Sequence, residues 1–188
     1  MTTTRVAQFE GLTAGTWIID AGHSEVGFTV RHLMSKVRGQ FREFAGEIVI
    51  ADDPLKSTVS ATIDLSSVDT RNDDRDNHLR SSDFFSVEVH PKMTFQSTSL
   101  RVEGETLIVT GDLTIKEVAN PAELAVDYLG AGSDPWGNRR IGFEASTTIS
   151  RKDWGVDFNI PLEGDKVMIG DKVAIVIAIE AVLKAGDA

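Results

Sequence analysis

The residues able to do chemistry in this chain are few, and their spacing is poor for it. Four histidines stand at His23, His32, His78 and His90. None sits in an HxH or HExxH pair, and the lack of any cysteine removes thiolate metal sites, disulfides and cysteine nucleophiles together. His23 and Ser24 are neighbours, but adjacent side chains of an extended strand point to opposite faces, so hydrogen bonding at a turn is expected rather than a nucleophile and its base. Asp73, Asp74 and Asp76 crowd together as in a calcium loop, yet the central glycine and the closing bidentate glutamate are missing. Arg71, Arg75 and Arg80 lie among them, which suggests a network of salt bridges and helix caps; the sharper reading has these arginines hold a phosphate or carboxylate head group. Gly11, Gly15, Gly22 and Gly27 make neither GxGxxG nor GxxxxGK[ST], so no nucleotide cofactor is indicated. The expectation is no metal, no cofactor and no catalytic constellation.

The elements that must position these residues are strands. Val26, Phe28 and Val30 alternate with Glu25, Gly27, Thr29 and Arg31. The same period of two recurs in Val59, Ala61, Ile63 and Leu65, in Leu113 and Ile115, and in Ile141, Phe143, Ala145, Thr147 and Ile149. Turn residues separate the runs at Asp52-Asp53-Pro54, Glu103-Gly104-Glu105 and Asp134-Pro135-Trp136-Gly137, as an antiparallel meander requires. From Val173 to Leu183 both faces are apolar, Ile175, Ile177 and Ile179 on one and Ala174, Val176 and Ala178 on the other, which predicts a strand covered on both sides. The polar stretch Arg71–Ser86 breaks the alternation and predicts one or two short helices. An all-β chain must hide its strand edges, and closure into a barrel of about eight strands does so while leaving an interior for side chains or one small ligand. A two-sheet sandwich is the competing architecture.

Bulk composition narrows the partners. With 188 residues, 41% of them apolar, and no repeat or linker, one domain spanning 1–188 is expected, with a flexible N-terminal segment over 1–14. Against 29 acidic residues stand 19 basic ones, and the net charge of -10 disfavours nucleic acid and anionic bilayer surfaces. Met1–Ala14 shows no export signal, and the longest apolar run, Val173–Ile179, is too short to span a bilayer before Glu180. A cytoplasmic protein without stable membrane insertion is expected.

Three blocks carry a family resemblance: Trp17-Ile-Ile-Asp-Ala-Gly-His-Ser-Glu-Val-Gly-Phe-Thr-Val-Arg-His32, Arg75-Asp-Asn-His-Leu-Arg-Ser-Ser-Asp-Phe-Phe85 and Gly111-Asp-Leu-Thr-Ile115. With His90-Pro91, Phe95-Gln96-Ser97, Asp134-Pro-Trp-Gly137, Gly142-Phe143 and Arg151-Lys-Asp-Trp-Gly155, the chain resembles the YceI-like family over most of its length. The resemblance implies an extended, eight-stranded antiparallel lipocalin-like barrel whose apolar tunnel holds a polyisoprenoid, an isoprenoid quinone or a similar long-chain amphiphile, with no catalytic residues. It also implies relatives exported to the periplasm and relatives that pair, so a homodimer is an expectation. One departure is plain: Glu117-Val-Ala-Asn-Pro121 stands where the family carries glycine, threonine and a basic residue before the proline, so another turn type is expected there.

Combined with face parity, this reading makes Val26, Phe28, Val30, Ile63, Leu65, Phe95, Leu113, Ile115, Phe143, Ile175 and Ile177 the inward, ligand-binding surface. Phe84 and Phe85 form a lid, and Arg75, His78 and Arg80 choose the head group at the mouth. The expected function is non-catalytic binding, transport or storage of the lipid. The alternatives are a hydrolase or isomerase acting on a lipid-like substrate through His23 or His78, and an interaction protein with a solid core.

Overall fold

A computed structural model describes residues 7–187. Eleven strands follow one another: β1 (Gly15–Ile19), β2 (Glu25–His32), β3 (Ser35–Phe41), β4 (Phe44–Ile50), β5 (Thr58–Asp64), β6 (Val68–Asp69), β7 (Lys92–Glu103), β8 (Thr106–Ile115), β9 (Val118–Ser133), β10 (Arg139–Ser150) and β11 (Ile169–Leu183). Every pairing is antiparallel, in the order β1-β4-β5-β7-β8-β9-β10-β11, and β11 returns to β1 through Trp17 opposite Leu183. These eight strands form a closed barrel, which leaves no free edge around the ring. β2, β3 and β6 continue it: β2 lies along β11 from Ile169 to Ala178, β3 along β2, and β6 along β3. β1 with β2, β3 with β4 and β5 with β6 are thus three long strands, each broken once. Asp20, whose carboxylate caps Gly22 N–H, makes the first break, and Asp64, which caps Ser66 N–H, makes the third.

The one α-helix among the described residues, α1 (Asp73–Arg80), begins where Asn72 accepts the Arg75 N–H at 2.9 Å. Three aspartates in its first turn and Arg80 in its last match the helix dipole. The segment after it folds back, Phe85 N–H donating to Leu79 O at 3.0 Å and Val87 N–H to Arg80 O at 3.0 Å. Among the described residues no helix is long and apolar enough to cross a membrane.

At the opposite end, Phe9 and Leu12 pack against the core and Tyr128 Oη donates to Glu10 O at 2.9 Å. Residues 1–6 of the N-terminal segment lie outside the described residues. The core runs around the inner wall, with Trp17, Ile141 and Ala181 fully or almost fully buried. Trp17 Nε1 donates to Thr13 O, and Trp154 Nε1 to Leu113 O at 2.8 Å, so both buried indoles are satisfied.

Three expectations need correction. The β11 strand is not covered on both faces: Val176 is 62% exposed, and Ala174 and Ala178 are exposed beside it. A barrel wall is one sheet thick, so its outer face meets water whatever side chains it carries. Leu65 does not extend the β5 alternation, because the Asp64 cap turns the chain into a 3₁₀ turn (Leu65–Ser67) and sends Leu65 into a separate cluster with Phe41, Ile63 and Val68. The β8–β9 hairpin keeps positive φ without glycine, Lys116 at 52° and Glu117 at 64°, the backbone of a two-residue type I′ turn. The left-handed region costs a non-glycine residue about 1–2 kcal/mol, and the long ladder from Ile115↔Val118 to Leu107↔Val126 holds the turn in place.

Candidate functional site

Side chains do not fill the barrel. A chamber of about 330 Å³ lies at the α1 end, and a second of about 180 Å³ lies toward Phe9 and Leu12. Val26, Met93 and Ile175 line both, so the chambers meet at these three residues. The first volume falls within the range of about 300–1,000 Å³ usual for ligand sites.

Of the residues placed inward from the sequence, Phe28, Val30, Arg75, His78, Phe84, Phe85 and Ile115 line the first chamber. Ile63, Phe95, Leu113, Phe143 and Ile177 line the second. Leu65 and Arg80 line neither, Leu65 for the reason given above. Arg80 faces away: its Nε donates to Ser66 O at 2.8 Å, Nη2 to Val68 O at 3.2 Å and Nη1 to Asn77 Oδ1 at 2.9 Å, which ties α1 to the β5–β6 turn.

Two close approaches set the width of the bore. Phe28 lies opposite Gly39 in the β2–β3 register, and a Cβ on Gly39 would meet Phe28 Cε1 and Thr70 Cγ2 at 2.9 Å. Likewise a Cβ on Gly111 would meet Phe95 Cε2 and Gln96 O at 2.7 Å. Each ring lies against the bare backbone of the neighbouring strand and so stays out of the lumen. At the α1 end, Phe84, Phe158 and His78 meet tilted or edge-on with centroid separations of 5.0–5.2 Å, and Phe85 meets Phe41 at 6.0 Å. This aromatic group covers that end of the chamber.

The polar groups here have definite partners. Arg75 Nε donates to Thr70 Oγ1 at 2.7 Å and Nη2 to Thr70 O at 2.8 Å, while buried Asp76 accepts Thr70 N–H at 2.9 Å. His78 Nε2 lies 2.8 Å from Asp83 Oδ2. His32 and Arg151 are the ionisable lining residues that the sequence did not point to, and Arg151 is the better anchored of the two. It lines the first chamber while buried, with Nε on Gly170 O at 2.9 Å and Nη1 on Val156 O at 2.7 Å and Phe158 O at 2.9 Å. Burial pulls its pKa below the usual arginine value, with Asp171 and Asp157 opposing. Arg151 clamps the irregular segment from Val156 to Ile160, whose Val156, Phe158 and Ile160 also line the chamber. Their spacing of two was the signal in the sequence, lost because no strand runs through it.

All the ionisable residues lining the chambers, His32, Arg75, His78 and Arg151, are basic, in a chain with 29 acidic residues against 19 basic ones. Among the described residues no serine, threonine, tyrosine or cysteine lines the first chamber, and the group beside His78 Nε2 is the Asp83 carboxylate. His23 lies outside both chambers. Its Nδ1 is 2.8 Å from Asp20 Oδ2, and Ser24 Oγ accepts Glu180 N–H at 3.0 Å and donates to Glu180 O, which makes Ser24 a backbone staple. Asp20, His23 and Glu180 are close enough to share a cation, but Arg140 Nη1 already bonds Asp20 Oδ2 at 2.8 Å and Glu180 Oε1 at 2.7 Å.

Residues 17–181 match the family model described as a YceI-like domain. The chain is 40% identical over 162 residues to protein YceI of Escherichia coli, covering 85% of this chain and 82% of that one. Among solved structures, BcnA of Burkholderia cenocepacia superposes with a TM-score of 0.76 at 21% identity, over 86% of this chain and 98% of BcnA. A polyisoprenoid binding domain from Saccharophagus degradans superposes with a TM-score of 0.66 at 18% identity, over 92% of this chain and the whole of that domain. At such identities these two likenesses speak for the fold alone.

Proposed function

The chain belongs to the YceI-like family, and with the hollow barrel just described, we propose that it binds and carries a long-chain amphiphile, a polyisoprenoid or an isoprenoid quinone, without transforming it. The observation that carries this reading is the bore itself: two meeting chambers walled chiefly by apolar side chains. A prenyl or acyl tail gains about 25 cal/mol for each Å² of apolar surface it hides, so roughly 400 Å² is worth about 10 kcal/mol before association costs. That suffices for tight binding with no strong polar contact. The basic lining of the first chamber suits a head group rich in electrons, such as a quinone carbonyl, a phenol or a phosphate. A polyisoprenoid binding domain shares the fold, which is why a prenyl chain is the first ligand to try.

Native mass spectrometry of protein purified from its own host, followed by organic extraction, tests the proposal. A co-purifying prenyl lipid is expected, and Phe28→Arg, which puts a charge in the first chamber, should abolish its uptake while the strand-rich circular dichroism spectrum persists. Protein that repeatedly emerges empty and takes up neither prenyl quinones nor fatty amides would refute it.

A further inference from the structure

The β2–β3 turn puts Leu33 and Met34 at its tip, where they are 47% and 97% exposed. Leu33 N–H donates to Met168 O at 2.8 Å, which brings the tip beside Ile160 and Val167, themselves 42% and 47% exposed. His32, Ile160 and Met168 line the first chamber, so these four exposed apolar side chains border its rim. Leu33 also sits at φ 53°, in the left-handed region where asparagine or glycine would cost less. Neither the backbone of this turn nor the exposure of its methionine benefits a barrel standing free in water.

Charge says what covers the tip. From Val26 to Arg42 the sequence has no acidic residue, although the chain as a whole carries -10. Arg31, Lys36 and Arg38 are exposed on this hairpin, Arg31 pairing with Lys36 and Thr29 with Arg38, which places the three on its outer face. Among the described residues none of them joins an ion pair, whereas Arg42 is taken by Asp69. We infer that this hairpin tip docks the mouth of the barrel onto an anionic lipid bilayer, with Leu33 and Met34 among the head groups and Arg31, Lys36 and Arg38 against their phosphates. Apolar side chains at the tip and basic ones behind are what a surface-seated segment needs. Asp73 and Asp74 on α1 and Glu163 and Asp165 on the neighbouring loop limit contact to the hairpin, so docking is reversible and sensitive to salt. The purpose assigned to docking, passage of a lipid through the rim, rests on the carrier reading; the docking itself does not.

Co-flotation of the full chain with phosphatidylglycerol or phosphatidylcholine vesicles tests it. At low salt the protein should float with phosphatidylglycerol and not with phosphatidylcholine, and high salt should release it. Leu33→Asn with Met34→Ser, and separately Lys36→Glu with Arg38→Glu, should each lower the bound fraction about tenfold. The first variant should melt no lower than the native chain, since asparagine suits the backbone at position 33, and both should bind a fluorescent long-chain fatty acid in vesicle-free solution as the native chain does. Native protein that ignores phosphatidylglycerol vesicles, or variants that float equally well, would overturn the inference. Flotation that persists while no variant nor the native chain takes up the probe would uphold docking and refute the carrier reading.

Discussion

Arg140 gathers carboxylates from three places: Asp20 between β1 and β2, Asp134 in the β9–β10 turn at 2.9 Å, and Glu180 on β11. The guanidinium, helped by His23, holds the Asp20 carboxyl below its ordinary pKa, and Asn138, with Arg140 and two backbone N–H groups, holds Asp134 well below it. Both groups are depressed in the folded chain, so their contribution is complete above the ordinary carboxylate range and is lost as pH falls below about 4 toward the folded values. The native melting temperature should therefore drop in acid. In Arg140→Met the carboxylates lose their shared cation, so that variant should melt lower at neutral pH and lose less on acidification, because the part of the Asp20 and Asp134 depression that Arg140 sustains is gone. Parallel melting curves from pH about 7 to 3 would show the gap narrowing; a constant gap would mean that Arg140 acts through packing alone.

At the scale of elements, the strands leave room because Phe28 and Phe95 lie on glycines. Gly39→Ala should push the Phe28 ring into the first chamber, costing about 1–3 kcal/mol of stability by overpacking and weakening uptake of a fluorescent fatty acid. Gly142→Ala is the matched control, since its Cβ would meet Leu129 Cβ at an ordinary 3.6 Å. Equal probe affinity in the two variants would show that the Phe28 ring does not set the width. Much of this level is legible in the sequence, since period-two alternation names β2, β5, β8 and β10 and their inward faces without further information. Alternation fails where capping intervenes: the same Asp-Leu-Ser types extend a strand or end it, and at Leu65 the Asp64 carboxylate decides. Nor does the helical stretch reveal which of its arginines faces the bore, because Arg75 and Arg80 are separated only by how α1 rotates against β6. Arg151 and the Val156–Ile160 wall were illegible for a different reason, for an irregular segment held by one buried guanidinium has no period to read.

For the whole molecule, a closed ladder of hydrogen bonds keeps the barrel from collapsing on its own hollow. Hollowness is costly, since lost packing runs to about 24 cal/mol per Å³ of void, so an occupant that fills the bore stabilises the fold as well as itself. The chain length accepted is then a property of the two chambers together, and Met93 stands where they meet. Its thioether is unbranched and adapts to what passes it, so the native bore should admit a tail from one chamber into the other. In a series of saturated fatty acids, affinity should rise about fourfold per added methylene, the equivalent of about 0.8 kcal/mol each, until both chambers are full. Met93→Trp places an indole at the junction and confines the tail to the first chamber, so its affinities should match the native ones for short acids and level off at a shorter chain. Titration calorimetry across the series separates the alternatives. An earlier plateau in the variant makes the bore one continuous site read end to end, whereas plateaus at the same length would mean that the inner chamber never receives the tail.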